Sequence, residues 1–334
     1  MIRSFALADM LLVYSLQRSD TLLAIEHILT HPRSPLWLAL TSPWPWAGVG
    51  VATYVARSRE QGQASAGFVQ LLKRPARPEA DLLHLSPALA VEPDCQQATP
   101  ALWRQLLAHS CNEAAQFGIE RVYVSIPDGG PEQTCLSDAN FRLYTRETIF
   151  RLEQIAEPEA SNEPAGYRWQ LPQDSWALQR LYMRSTPHLV QQAEGALGGR
   201  AGSPRLTWWE PERWRGLVWA PTGEVHGAVQ VHTGRAGHWL RIVGANSLTA
   251  RELRGLVGQG LCLLLATRRK WGGDPIPIYA TVRDYDAGLS GALTGFGFAP
   301  FVDRARFVRH TLSACLKPLV ALPVRDTTRE VAAH

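Results

Sequence analysis

The sequence predicts two mixed α/β domains in tandem, each a twisted, partly parallel sheet with helices on both faces. Three observations carry this. The chain has 334 residues, more than one ordinary core needs and suited to two of about 150 residues each. The stretch EQIAEPEASNEPAG, from Glu153 to Gly166, is acidic, Pro- and Ala-rich and aperiodic, which is the composition of a linker. The same features recur in the same order on either side of it. The expected division is therefore a first domain over 1–152, a linker over 153–166, a second domain over 167–317 and a polar, aperiodic tail over 318–334.

The first repeated feature is a strand carrying Gly-x-Val-Gln, with Gly67, Val69 and Gln70 in AGFVQLLK and Gly227, Val229 and Gln230 in HGAVQVHT. Both alternate as strands do. The second feature is a strand, helix and strand unit, running from LLHLSPALAV to RVYVSI and from GHWLRIV to PIYATV. In the second copy Leu253, Leu256, Val257, Leu261, Leu264 and Leu265 keep the helical period, which predicts an amphipathic crossover helix. Gly118 and Gly272 end the two helices at a left-handed residue, and the strand that follows implies parallel βαβ geometry. The third feature is a short helix, a turn and a closing strand, LSDANFRLYTRETIF and LTGFGFAPFVDRARF, which pairs Phe141 with Phe298, Tyr144 with Phe301 and Phe150 with Phe307. Helix formers from Ser175 to Gln192 are interrupted by Pro187, where a helix bends or restarts.

Composition excludes several classes of function. The formal charge is +4 and the basic residues are scattered, so no nucleic-acid partner is expected. No apolar run is long enough to span a bilayer, and Met1 to Leu16 lacks the cleavage site of a signal peptide. The five cysteines lie far apart without metal-ligand spacing, so reduced thiols, a cytoplasmic location and no metal are expected.

The ordered Gly-x-Val-Gln strand, crossover unit and closing Gly297-Phe298 strand resemble the acyl-CoA N-acyltransferase (GNAT) superfamily twice over. That resemblance implies acetyl-CoA as cofactor, held by backbone amides of a glycine-rich turn at the start of the central helix. In the first copy the corresponding residues are Gln96, Thr99 and Ala101, although Thr99-Pro100 also reads as a helix cap and first turn. In the second copy they are Arg254, Gly255, Gly258 and Gly260, downstream of Thr249 and Glu252, which form a capping box. Close helix packing is the other reading of these glycines. A tyrosine that many family members place before the closing strand is replaced by Leu136 and Leu293.

The remaining candidates are catalytic. His84 and His238 stand near the start of the strand that the resemblance places beside a thioester, as a general base or as ordinary lining residues. Tyr285, between Asp284 and Asp286 at a strand's C-terminal end, is the available phenolic acid or a turn residue. His226 and His232 share a face with Gln230 that either meets solvent or lines a cleft. The tryptophans crowded into TWWEPERWRGLVW and around Trp37, Trp44 and Trp46 read as packing or as a binding platform. Two functions follow: an acyl-CoA dependent N-acetyltransferase acting on a small-molecule or peptide amine, or a degenerate pair kept as a ligand-binding or interaction module. Either would be a monomer with pseudo-dimeric domains or a homodimer.

Overall fold

The computed structural model describes residues 1–311 apart from 20, 43, 49, 61–62, 75–76, 90–99, 155–165, 196–213, 272–275 and 287. Most of the expected linker, the tail, Gln96, Thr99, Gly272, Trp208 and Trp209 therefore lie outside the described residues. The first half runs β1 (Ile2–Ser4), α1 (Met10–Leu16), β2 (Thr21–Leu22), α2 (Ile25–Thr30), α3 (Pro35–Thr41), β3 (Val51–Glu60), β4 (Gln63–Lys73), β5 (Glu79–Ser86), α4 (Pro100–Gln116), β6 (Arg121–Pro127), α5 (Glu132–Asp138) and β7 (Arg142–Leu152). The second half runs β8 (Tyr167–Trp169), α6 (Ser175–Ser185), α7 (His188–Ala193), β9 (Trp214–Trp219), β10 (Gly227–Thr233), β11 (His238–Gly244), α8 (Ala250–Trp271), β12 (Ile278–Arg283), α9 (Leu289–Thr294) and β13 (Ala299–His310).

The strands form one continuous sheet in the order β1-β3-β4-β5-β6-β13-β7-β12-β11-β10-β9-β8, with β2 added to β5. The sequence predicted a sheet for each half; the halves instead share one, because their closing strands cross over. Among the described residues β7 pairs only with β13 and β12 of the second half, and β13 only with β6 and β7 of the first. Each closing strand starts in its own core and ends in the other. Phe141 belongs to the first core and Phe150 to the second, whereas Phe298 belongs to the second and Phe307 to the first.

Local sequence explains the repeated elements. Gly67 and Gly227 let the crossover helices approach the sheet: a Cβ at Gly67 would stand 3.1 Å from Leu102 and 3.2 Å from Leu106 of α4, and one at Gly227 2.8 Å from Leu256 of α8. The residues before the two closing strands, Asn140 and Gly297, both have positive φ (62° and 87°), and Phe141 and Phe298 donate their amides to the carbonyls of Leu136 and Leu293. Only glycine and, with lesser ease, asparagine adopt that conformation routinely. Gly118 ends α4 in the same left-handed region (φ 73°), as its position after the last turn predicts. Pro187 separates α6 from α7, so the helix restarts there.

Helices α4 and α8 pack on one face of the sheet, against residues such as Val69, Leu82 and Val124 in one core and Val229, Leu240 and Ala280 in the other. The opposite face carries α6, against Val218, Ala228 and Val243, and α2, whose Ile25 and Leu29 meet Trp239 and Tyr279. That placement matters for function, because α2 belongs to the first half and covers strands of the second. Among the described residues no helix is long and apolar enough to cross a membrane.

Candidate functional site

Among the described residues each half contains one parallel strand pair, and each pair soon comes apart. β5 and β6 pair over Glu79–Asp81 and Arg121–Tyr123, and β11 and β12 over His238–Leu240 and Ile278–Ala280. Beyond these residues the strands diverge, leaving backbone N–H and C=O groups that need partners. The first half supplies them from within. Thr21 and Leu22 pair antiparallel with Leu85 and His84, the Leu23 amide donates to the Leu83 carbonyl at 3.1 Å, and the Ser125 amide donates to the Leu23 carbonyl at 3.1 Å. This wedge is filled by the chain's own strand.

The second wedge opens into a cleft of ≈ 100 Å³. Arg241 to Gly244 on β11 and Thr281 and Arg283 on β12 line it, facing Tyr182 and Ser185 on α6, Glu194 after α7, and Glu26 from the first half. Charge inside it is ordered by short bonds. Arg283 donates to Glu194 at 2.8 Å and to the Tyr285 hydroxyl at 2.5 Å, and Tyr182 donates to Glu194 at 2.6 Å. Arg306 pairs with Glu147 at 3.0 Å and lies 3.6 Å from Glu26. Burial pushes the Tyr285 phenol up to about 12 and raises the Asp286 carboxyl. Burial also lowers the Arg241 guanidinium, with Glu26 opposing. A low-dielectric, water-poor site strengthens every such interaction.

Of the candidates read from sequence, Tyr285 is in the cleft; the two histidines are not. His238 sits at the paired end of β11, opposite Ile278, and the cleft begins three residues further on. His84 is buried beside Leu22. Nor do the two histidines correspond: His84 lies opposite Gln70, and the residue opposite Gln230 is Arg241. A register shift in β4–β5 that β10–β11 lacks makes sequence spacing misleading here. Gln230 and His232 are buried, so they do not meet solvent, while His226 is half-buried against Trp219: Gln230 donates to Gln170 at 2.6 Å, and His232 stacks on Trp214.

The glycines of the second copy lie inside α8, where amides already bond within the helix. A Cβ at Gly260 would collide with Leu240 and Val229 of the sheet, and one at Gly258 would stand 3.3 Å from Phe296. Packing therefore explains both, while Gly255 faces the Tyr167 hydroxyl and Arg254 borders Gly295. The start of α8 is closed by its capping box. Thr249 donates to Glu252 from its amide at 2.7 Å and from its hydroxyl at 2.8 Å, and the Glu252 amide donates back at 3.3 Å. A pyrophosphate does not fit there, since a carboxylate holds the place an anion would take. In the first copy only Ala101, in the first turn of α4, is among the described residues. Leu136 and Leu293 are core residues and offer no proton.

Sequence reasoning missed Glu26, Tyr182, Glu194, Arg241 and Arg283. Arg241 and Arg283 stand on strands that were recognised, but the divergence that exposes them has no sequence signature. Glu26 and Glu194 reach the cleft from distant segments, which only the fold brings together.

Among solved structures the chain is similar to a tandem GNAT protein from the clavulanic acid biosynthesis pathway, with 13% identity, a TM-score of 0.50 and coverage of 93% of this chain and 98% of that one. A GCN5-related N-acetyltransferase from Sphaerobacter thermophilus is similar over 93% of this chain and 95% of that one, with 13% identity and a TM-score of 0.48. No protein-family model and no curated protein matches the sequence. The first likeness, spanning both chains almost entirely, shows the fold: this is a tandem GNAT-fold protein.

Proposed function

We propose that the second half holds an acyl thioester of the acyl-CoA kind in the cleft between β11 and β12, for transfer to a small-molecule or peptide amine in the cytoplasm. One observation supports this above the rest. The equivalent wedge of the first half is occupied by an extended peptide segment bonded through its amides, so strand edges of this kind accept an amide-bearing chain, and a pantetheine arm is such a chain. Bound donor would supply an activated acyl group; the amine's attack on the thioester carbonyl would form the amide C–N bond and break the C–S bond, and the departing thiolate would take up the proton the amine gives up and leave as free thiol. The protein's part is positioning and exclusion of water. Tyr285, with a phenol at about 12 and bonded by Arg283, keeps its proton at neutral pH and orients rather than exchanges it.

The capped start of α8 makes the nucleotide end of the donor dispensable. In a thermal-shift titration, acetyl-CoA and S-acetylpantetheine should therefore stabilise the protein alike, by about 2.7 kcal/mol at a hundred times the dissociation constant. No stabilisation by either at millimolar concentration would reject the reading. A second reading, a binding module without chemistry, draws support from the core placement of Leu136 and Leu293; it predicts the same stabilisation with no amine-dependent release of free thiol.

A further inference from the structure

The segment from Thr21 to Thr30 touches both halves within ten residues. Its first end fills the β5–β6 wedge through Thr21, Leu22 and Leu23, with Leu23 also buried in the first core. Its last end reaches across the sheet, where the Thr30 carbonyl accepts from the Ala236 amide at 3.1 Å and Leu29 packs in the cluster of Trp239 and Tyr279. Between them stands Glu26, 6% exposed, lining the cleft of the second half. Both its carboxylate oxygens are buried without a hydrogen-bond donor. The nearest guanidiniums, of Arg306 at 3.6 Å and Arg241 at 3.8 Å, attract it by charge but stand beyond hydrogen-bond range.

We infer that the first half's wedge is a strand-binding site whose resident ligand is the chain's own Thr21–Leu23, and that this strap holds Glu26 as a wall of the second half's cleft. The closed wedge thereby serves the open one. The two are exclusive, because a displaced strap would free the first site and withdraw Glu26 from the second. Where the cleft binds a donor and an amine, as proposed above, Glu26 is a positioning residue on the acceptor side, with lone pairs ready for an N–H group. The strap itself does not depend on that reading.

Amide hydrogen exchange on the full chain tests it without any acyl donor. Leu23→Pro removes the N–H given to Leu83, and the expected result is exchange at least about 100-fold faster at Ser125 and also at Ala236, with Val231 in β10 unchanged. Leu23→Ala, which keeps the N–H and empties only the core position, should show the same pattern more weakly and serves if the proline variant does not fold. A synthetic peptide, TLLAIE, added to the loosened variant should restore protection of Ser125. Unchanged Ser125 in both variants, or failure of the peptide to protect it, would overturn the strand-binding site. Faster Ser125 with unchanged Ala236 would show that the two ends are uncoupled and that Glu26 is held by other means.

Discussion

At the scale of single residues, the cleft is held by charges that satisfy one another. Glu194 takes bonds from both Arg283 and Tyr182, and its side chain and that of Arg283 are largely buried. Removing one partner of such a pair strands the other, so Glu194→Ala should destabilise the protein by about 3–5 kcal/mol, read from urea unfolding midpoints. His27, on α2, titrates far from its usual range: burial first, and then the cation of Arg33, lower its pKa from 6.5 to about 4. The folded protein thus prefers neutral His27, while the unfolded chain takes up a proton near pH 6.5. The stability this contributes is present above about pH 6.5 and lost as pH falls toward about 4, by an amount on the order of 3 kcal/mol. His27→Gln should flatten the urea midpoint over that window relative to the native chain, and an equal slope in both would contradict the assignment. No sequence pattern marked these residues, because their pKa values and partners are properties of burial.

At the scale of elements, the repeated glycines have a packing role that spacing alone left open. At Gly260 α8 lies close against Val229 of β10 and Leu240 of β11, and Gly260→Val should cost about 1–3 kcal/mol by overpacking, without altering ligand affinity beyond what the stability loss explains. The capping box acts in the opposite direction on ligand and fold. Glu252→Gln keeps the capping box but loses its charge, so it should weaken α8 by about 0.3–1 kcal/mol, yet raise the affinity for acetyl-CoA relative to S-acetylpantetheine, since the carboxylate that repels a pyrophosphate is gone. Isothermal titration with the two donors gives both numbers. The Thr249–Glu252 cap, the restart at Pro187 and the crossover helices were all legible, because each depends on residues a few positions apart. The divergence of β11 from β12 was not, because a strand's neighbour is set by distant chain.

At the scale of the whole molecule, the exchange of β7 and β13 removes any clean plane between the halves. All of β7's ladder is made with second-half strands, and both cores contain a phenylalanine from the other half. The two halves should therefore unfold as one cooperative unit, with a calorimetric enthalpy matching the van't Hoff value. Two resolved transitions would show that the exchanged strands contribute little. A fragment ending at 154 should not fold as a stable monomer with this arrangement, since β7 would have none of its partners; analytical ultracentrifugation of the fragment decides.

The sequence by itself determined the duplication and the order of the repeated elements, because hydrophobic period, helix caps and turn residues act over a few residues. Tertiary structure alone decided that the halves share one sheet, that Thr21–Leu23 fills one wedge while the other stays open, and that Glu26 and Glu194 meet in the second cleft. Strand partners, register shifts and burial arise from contacts between segments far apart, so no local pattern could carry them.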